Sequence, residues 1–255
     1  MPPTVPVHLT VLGSATPYPT VDNPCSGYLL EHAGTRLWID AGTGTLGALQ
    51  RYARLDEIDA VWISHLHADH CADLLTAYYA LLYADLQPAA PLPLFGPPGI
   101  ADRLAGFLTN GPHRSPVESA FAVHELHDGH TARIGQLRLT SRAVVHGLPA
   151  FALRVDAPGT SLAYSGDCEP CPALTELAAG CEVLLCEADG IPDGHHTPEQ
   201  AGDTARGAGA ARLIVTHVGR GTRPEDAVAR AAGRFLGPVH HATPDHTFTL
   251  GAGTG

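Results

Sequence analysis

Residues 58–70 read IDAVWISHLHADH, an apolar run that ends in the motif H-x-H-x-D-H. The run is rich in β-branched and aromatic side chains, which predicts a buried strand. Residues 72–82 follow with the apolar spacing of a helix, so the motif lies where a strand gives way to a helix. Open α/β sheets place their chemistry at this kind of junction.

Four side chains of this motif are strong metal ligands, namely His65, His67, Asp69 and His70. Neutral imidazoles and a carboxylate suit zinc and related divalent cations, and such sites commonly activate water. His65 and His67 are two residues apart, so an extended segment turns both to the same side. Asp69 and His70 continue into a turn, where they can face a second cation. The alternative is a solvated, histidine-rich loop.

Further ligand candidates recur downstream, each at the end of an apolar strand. They are His146 after residues 136–145, Asp167 after residues 161–165, and His217 after residues 211–216. A carboxylate beside a glycine at a strand end, as in Gly166-Asp167, is well placed to bridge two cations. The seven residues suffice for two metal ions, which argues against the solvated loop.

Asp40 ends a predicted hairpin of strands over residues 26–31 and 35–40. Two interpretations are equally supported by the sequence. Its carboxylate can stand behind the metal ligands and orient a metal-bound histidine, or it can cap a helix over residues 46–53. Ser64, which directly precedes the motif, is assigned with Asp40 to the groups behind the ligands.

The composition limits the classes of partner. A chain of 255 residues with 44% hydrophobic residues predicts one domain over residues 1–255 with a large core. The net charge of −11 argues against a nucleic-acid polymer as partner, because such binding neutralises phosphates with basic side chains. All 15 basic residues are arginines, which excludes Schiff-base lysine chemistry and a P-loop lysine.

The chain begins without a basic, apolar leader and has no apolar run of membrane-spanning length. We therefore expect a cytoplasmic protein without membrane contact. Its six cysteines are interpreted as thiols in that compartment. Cys168 and Cys171 form a C-x-x-C, for which a redox pair and half of a zinc site are the functional alternatives.

These motifs together resemble the metallo-β-lactamase fold superfamily, whose five motifs match Asp40, residues 65–70, His146, Asp167 and His217 in order. The resemblance covers essentially the whole chain. It implies an α/β fold, a four-layer αββα sandwich of two mixed sheets flanked by helices. It also implies two metal sites, the first of His65, His67, His146 and Asp167, and the second of Asp69, His70, Asp167 and His217. Asp at position 167 and His at position 67 favour a hydrolase over the redox branch of the superfamily.

Within the superfamily, the chain looks most like the ribonuclease-Z-like phosphodiesterase branch. The matching motifs are residues 64–70, 146–151, 164–167, 186–188 and 195–202. The resemblance implies that a hydroxide bridging the two metals attacks phosphorus, with Asp69 and His195 as catalytic residues. His195 aligns with the branch's extra catalytic histidine and would donate a proton or hydrogen bond; His196 is the alternative.

Enzymes that process tRNA in this branch carry a long arm between the residues that match His146 and Asp167. Only 21 positions separate the two residues here, which a single hairpin consumes. The chain is therefore similar to the small, armless cyclic-nucleotide phosphodiesterases of actinobacteria, of the atypical class II kind. Hydrolysis of a small phosphodiester such as 3′,5′-cyclic AMP is the leading hypothesis, and tRNA 3′-processing is disfavoured.

Arg220 and Arg223 are candidate phosphate contacts, or ordinary solvated arginines. The resemblance implies two divalent ions, with zinc expected and manganese or iron compatible with the same ligands. It also implies a small-molecule substrate and a homodimer. The alternatives are a hydrolase of another class, such as a lactonase, thioesterase or pathway-specific enzyme, and a non-catalytic descendant of the fold.

Overall fold

A computed structural model describes residues 5–84, 86, 88–191 and 193–251. Its strands are β1 (Val7–Gly13), β2 (Gly27–His32), β3 (Thr35–Ile39), β4 (Ala60–Trp62), β5 (Leu92–Gly96), β6 (Phe121–Glu125), β7 (Thr131–Ile134), β8 (Leu137–Val144), β9 (Ala150–Ala157), β10 (Thr160–Tyr164), β11 (Val183–Ala188), β12 (Arg212–Val218), β13 (Val239–His241) and β14 (Thr247–Leu250). Its helices are α1 (Thr45–Leu49), α2 (Ala68–Cys71), α3 (Asp73–Tyr83), α4 (Ile100–Leu108), α5 (Val117–Ala120), α6 (Pro172–Leu177), α7 (Pro198–Ala208) and α8 (Pro224–Ala232), with a 3₁₀ turn at Leu55–Glu57.

The strands form two seven-stranded sheets, in the orders β14-β1-β2-β3-β4-β5-β6 and β13-β12-β11-β10-β9-β8-β7. Both sheets are mixed, with a parallel run from β3 to β6 and another from β10 to β13. The carboxyl ends of the strands in each parallel run meet at one edge. β8 and β10 both pair antiparallel with β9, so β8 ends at the same edge as β10.

Alternating side chains of the central strands build the layers. In β3, Leu37 and Ile39 lie in the core between the sheets, whereas Trp38 packs on the helix side of the first sheet. In β11, Leu185 faces the core between the sheets and Leu184 faces α6 and α7. Both faces of these strands are buried, and each strand accordingly contains an apolar run, residues 37–39 in β3 and residues 183–186 in β11. The predicted αββα sandwich of two mixed sheets is confirmed.

The local structure differs from the sequence predictions in three places. The prolines of residues 88–98 favour an irregular segment in the sequence, yet Leu92–Gly96 forms β5 between β4 and β6. Pro93 is tolerated because pairing with β4 begins only at Leu94, so no hydrogen-bonding partner faces the proline on that side. The short strand β7 has no clear apolar alternation and was not predicted. Helix α1 is shorter than predicted, and Gly44 is its N-cap.

No helix among the residues described is both long enough and apolar enough to cross a membrane.

Candidate metal centre

The H-x-H-x-D-H motif leaves the end of β4 as an extended loop and then enters α2. His65 and His67 lie in the extended part, and His67 is the N-cap of α2, with φ −69° and ψ 148°. Asp69 and His70 lie in the helix itself. The change from extended to helical backbone turns the two pairs of side chains toward different neighbours, as the spacing predicts.

The first cluster consists of His65, His67 and His146, and we call it the rim group because His67 is exposed. His67 Nδ1 lies 3.1 Å from His65 Nε2 and 3.3 Å from His146 Nε2. Asp167 Oδ2 is 3.7 Å from His65 Nε2. Strands β4 and β8 deliver these histidines from different sheets.

The second cluster consists of Asp69, His70 and His217, and we call it the deep group because both histidines are buried. His217 Nε2 lies 3.2 Å from His70 Nε2 and 3.3 Å from Asp69 Oδ2. Asp167 reaches this group too, with Oδ1 3.3 Å from His70 Nε2 and Oδ2 3.4 Å from His217 Nε2. Asp167 therefore stands between the two groups.

These distances fit bound cations. Ligands about 2.0–2.1 Å from a tetrahedral zinc ion lie about 3.3 Å from one another, close to the separations in both groups. Asp167 Oδ1 is buried and accepts no well-formed hydrogen bond within the described residues. An ionised carboxylate in that position needs a positive partner. The donor set of imidazoles and carboxylates therefore suits divalent cations, with Asp167 facing both groups.

Asp40 holds the deep group from behind. His70 Nδ1 donates to Asp40 Oδ2 over 2.7 Å, which leaves Nε2 for the centre. The same carboxylate accepts hydrogen bonds from Ser64 N at 2.7 Å, Ser64 Oγ at 2.8 Å and Tyr164 Oη at 2.7 Å. Of the two interpretations of Asp40, the geometry excludes the helix cap and agrees with the orienting group.

Two rim histidines are oriented by a hydroxyl and by a backbone carbonyl instead of a carboxylate. His65 Nδ1 lies 3.0 Å from Ser64 Oγ, whose own proton goes to Asp40, so His65 is the donor. His146 Nδ1 donates to the carbonyl oxygen of Gly194 over 2.9 Å. In both residues, this bond fixes the tautomer that presents Nε2 to the centre.

Electrostatics keep the Asp167 carboxylate ionised. Burial raises the pKa of Asp167, but the neighbouring His217 and His70 outweigh it and hold that pKa well below its usual value. Burial lowers the pKa of His65 well below its ordinary value, and His70 lowers it further. A deprotonated carboxylate and a neutral imidazole are the forms in which these side chains bind cations.

Glu187 is a residue of the site that the sequence analysis did not single out. It lies at the end of β11, fully buried, and its Oε1 accepts from His195 Nδ1 at 3.0 Å and from Cys168 N at 3.1 Å. Burial acts to lower the pKa of His195, but the hydrogen bond to Glu187 raises it to about 9. The signal was present, since Glu187 is a carboxylate directly after an apolar strand, like the other strand-end ligands.

The geometry separates the two adjacent histidines. His195 also lies near the centre, with Nδ1 3.9 Å from Asp167 Oδ2. His196 is fully buried, and both its ring nitrogens are engaged within the fold, Nδ1 with the Cys168 carbonyl at 2.6 Å and Nε2 with Thr204 Oγ1 at 3.1 Å. His196 therefore has no free nitrogen for a substrate, whereas His195 does.

The remaining candidates belong to neither group. Arg223 is exposed and binds Asp226, with Nε 2.8 Å from Oδ2. The guanidinium carbon of Arg220 sits 3.8 Å from the centre of the Tyr18 ring. Among the described residues, no cluster of metal-binding geometry includes a cysteine. All six cysteines, Cys168 and Cys171 among them, are buried thiols without a disulfide.

Comparisons with known proteins agree with this arrangement. Residues 35–218 match the family model described as the beta-lactamase superfamily domain. An uncharacterized protein of Mycobacterium tuberculosis is 39% identical over 257 residues, which cover 96% of this chain and 93% of that protein. A ribonuclease Z of Mycolicibacterium gilvum is 31% identical over 273 residues, covering 90% of this chain and 91% of that enzyme.

Among solved structures, the metallo-beta-lactamase fold protein YhfI of Bacillus subtilis superposes with a TM-score of 0.85 at 23% identity, covering 96% of this chain and 100% of that one. This likeness shows the fold. Together with the family match and the ribonuclease Z relative, it establishes that the chain belongs to the metallo-β-lactamase superfamily, in its ribonuclease-Z-like branch.

Proposed function

We propose that this protein is a two-metal phosphodiesterase that hydrolyses small phosphodiesters, with 3′,5′-cyclic nucleotides as its substrate class. Membership of a hydrolase superfamily supports the reaction type. The name of the ribonuclease Z relative supports phosphorus as the centre attacked, because that enzyme cleaves a phosphodiester. Zinc is the first ion to test.

The observation that carries the proposal is the placement of His195 beside both metal groups. Its ring stacks on that of His217 at a centroid distance of 5.9 Å and meets His146 edge-on at 5.2 Å. Glu187 binds Nδ1, and no described residue hydrogen-bonds Nε2. A histidine held at one nitrogen and free at the other can donate a proton to a leaving oxygen.

Asp69 and Glu187 are assigned the other roles in the proposed reaction. Two divalent cations bound here would make water available as a nucleophile near neutral pH and would neutralise the phosphoryl oxygens. Asp69, a carboxylate of the deep group, would accept a hydrogen bond from the attacking water. Glu187 keeps His195 in position through the 3.0 Å bond to Nδ1.

The proposal favours a small substrate over tRNA. The antiparallel hairpin of β9 and β10 fills the segment between His146 and Asp167, so the chain has no protruding arm there. The net charge of −11 also disfavours a polyanionic partner. A cyclic nucleotide needs neither an arm nor a basic surface. A homodimer is part of the same proposal.

The test is turnover of 3′,5′-cyclic AMP by zinc-loaded protein, with bis-p-nitrophenyl phosphate as a generic phosphodiester and Asp69→Ala as the blank. We expect activity on both, lost in the variant. Cleavage of the generic ester alone would retain the phosphodiesterase and reject the cyclic nucleotide. Inactivity on both, in protein shown to hold two cations, would reject the proposal and direct the search to lactones and thioesters.

The role of His195 has its own prediction. His195→Ala should lower kcat by about 10²–10⁴-fold, the usual contribution of a general acid or base. The cation content should stay unchanged, because the variant keeps all seven ligands. His113→Ala, on an exposed loop, is the matched control and should be silent. Equal turnover by the two variants would remove His195 from the mechanism.

A further inference from the structure

His217 differs from three other histidines of the centre in what supports it. His65, His70 and His146 each donate from Nδ1 to a partner in the fold. His217 Nδ1 is buried and has no hydrogen-bond partner among the residues described. Its backbone is also in the left-handed region, with φ 48°. Because no described residue holds Nδ1 by a hydrogen bond, the orientation of the His217 side chain needs another support.

Asp189 is the carboxylate that faces this nitrogen. It follows β11 at the edge where the ligands lie, is 7% exposed, and its Oδ2 is 3.8 Å from His217 Nδ1. Oδ2 accepts a hydrogen bond from Thr16 Oγ1 at 3.1 Å, whereas Oδ1 is buried without a partner. Within the described part of the chain, an unpaired donor, His217 Nδ1, therefore lies beside a carboxylate that has one unpaired oxygen and whose nearer oxygen, Oδ2, carries only the bond from Thr16. The 3.8 Å separation exceeds a hydrogen bond, so a small rotation has to bring them together.

We propose that Asp189 is a positioning residue for the deep group, which accepts the Nδ1 proton of His217 and thereby directs Nε2 to a bound cation. Metal-binding histidines almost always donate their second nitrogen to a carboxylate, a carbonyl or water. Asp189 fills for His217 the place that Asp40 fills for His70. The inference needs a cation in the deep group but no particular substrate, so it can stand even if the proposed phosphodiester activity fails.

Through Asp189, the loop between β1 and β2 contacts the support of the metal centre. Thr16 lies in this loop, and its hydroxyl is the only described donor to the Asp189 side chain. The loop therefore sets the orientation of Asp189, which sets that of His217. Ser14, in the same loop, donates instead to the Ala242 carbonyl at 2.7 Å and has no part in this chain of contacts.

The experiment is a zinc titration of the metal-free full chain by calorimetry with a competing chelator, without substrate. Asp189→Ala should weaken one of the two binding events by about 10- to 100-fold, as loss of such a partner does elsewhere. The other event should keep its wild-type affinity. Asp189→Asn, which retains an acceptor oxygen, should recover part of the loss. Ser14→Ala is the matched control and should bind both ions as the wild type does.

Wild-type affinity at both events in Asp189→Ala would overturn the proposal, and so would equal weakening of both, which indicates general damage. If circular dichroism shows that Asp189→Ala does not fold, the zinc titration of Thr16→Val tests the proposal instead. This substitution removes the hydroxyl with little change of shape and should weaken the same single event severalfold. An unchanged titration of Thr16→Val in that case would overturn the proposal.

Discussion

The rim group and the deep group use similar ligands, but the protein builds them differently. In the rim group, His67 is exposed, and the histidines are supported by near neighbours or a loop carbonyl. In the deep group, both histidines are buried, and His70 is held by Asp40, which is 30 positions away and accepts four hydrogen bonds. The deep group is thus part of the core, whereas the rim group extends from the buried His65 to the exposed His67.

The difference teaches that one metal centre can combine a preorganised half with an adaptable half. A ligand locked by buried hydrogen bonds loses little freedom when a cation binds, whereas an exposed ligand has to be ordered. We therefore expect changes at the deep group's buried histidines to affect stability as well as cation binding, and changes at the exposed His67 to affect cation binding alone.

The largest effect should come from Asp167, which faces both groups. Asp167→Ala should abolish binding of both cations and reduce phosphodiester turnover below detection, because each group loses its shared carboxylate and gains no replacement. Metal analysis after dialysis and turnover of bis-p-nitrophenyl phosphate measure this. Asp156→Ala, on the hairpin that leads to Asp167, is the control. Retention of two cations by Asp167→Ala would show that Asp167 is not a ligand shared by the two cations.

A direct comparison of His70→Ala with His67→Ala tests the difference between the halves. His70→Ala leaves the buried Asp40 without its charged partner, so the free energy of unfolding should fall by roughly 3–5 kcal/mol. His67→Ala changes an exposed side chain and should shift that free energy by no more than about 0.5 kcal/mol. Urea denaturation in the presence of a chelator measures the free energy of unfolding of both variants. Equal losses of unfolding free energy in the two variants would contradict this difference between the deep group and the rim group.

Asp40→Asn should have an intermediate effect. The amide places two donors where four donors already point, so His70 loses its fixed orientation and zinc affinity should drop about 10- to 100-fold. Competition with a chromophoric chelator measures the affinity. Tyr164→Phe removes only one of the four hydrogen bonds and should cost about 1 kcal/mol of stability with little change in affinity. An Asp40→Asn protein with wild-type affinity would contradict the orienting role.

The smallest effect should come from Arg223→Ala, at the surface. Arg223 is occupied by Asp226 and Glu225, so we expect an unchanged Michaelis constant and a stability change within about 0.5 kcal/mol. Steady-state kinetics with the phosphodiester that proves active provide the measurement. Arg220→Ala, which removes the stacking on Tyr18, is the companion variant. A raised Michaelis constant in Arg223→Ala would support the phosphate contact considered from the sequence.

The sequence identifies the candidate ligands because they stand in local patterns, whereas the sandwich fold is what the family resemblance implies and the structure confirms. Residues 58–70 show a buried strand and four ligands in one stretch, and His146, Asp167 and His217 repeat the strand-end context. The resemblance supplies the grouping of these residues, and the distances agree with it.

The supporting contacts are harder to predict because they join distant parts of the chain. Glu187 continues an apolar strand, so its sequence context does not reveal that it meets His195. Asp189 becomes notable only when the fold brings His217 Nδ1 next to it. Strand β5 is difficult to predict because it contains Pro93. The sequence does not show that the backbone nitrogen of this proline faces a position without a pairing partner.

The place of β14 in the first sheet bears on how the chain folds during synthesis. β1, which starts at Val7, pairs on one side with β2 and on the other with β14, more than two hundred residues later. Until β14 leaves the ribosome, one edge of β1 presents unpaired backbone groups, the kind of edge that invites association between chains. Completion of the first sheet therefore waits for β14, whose pairing with β1 is a contact of very long sequence separation.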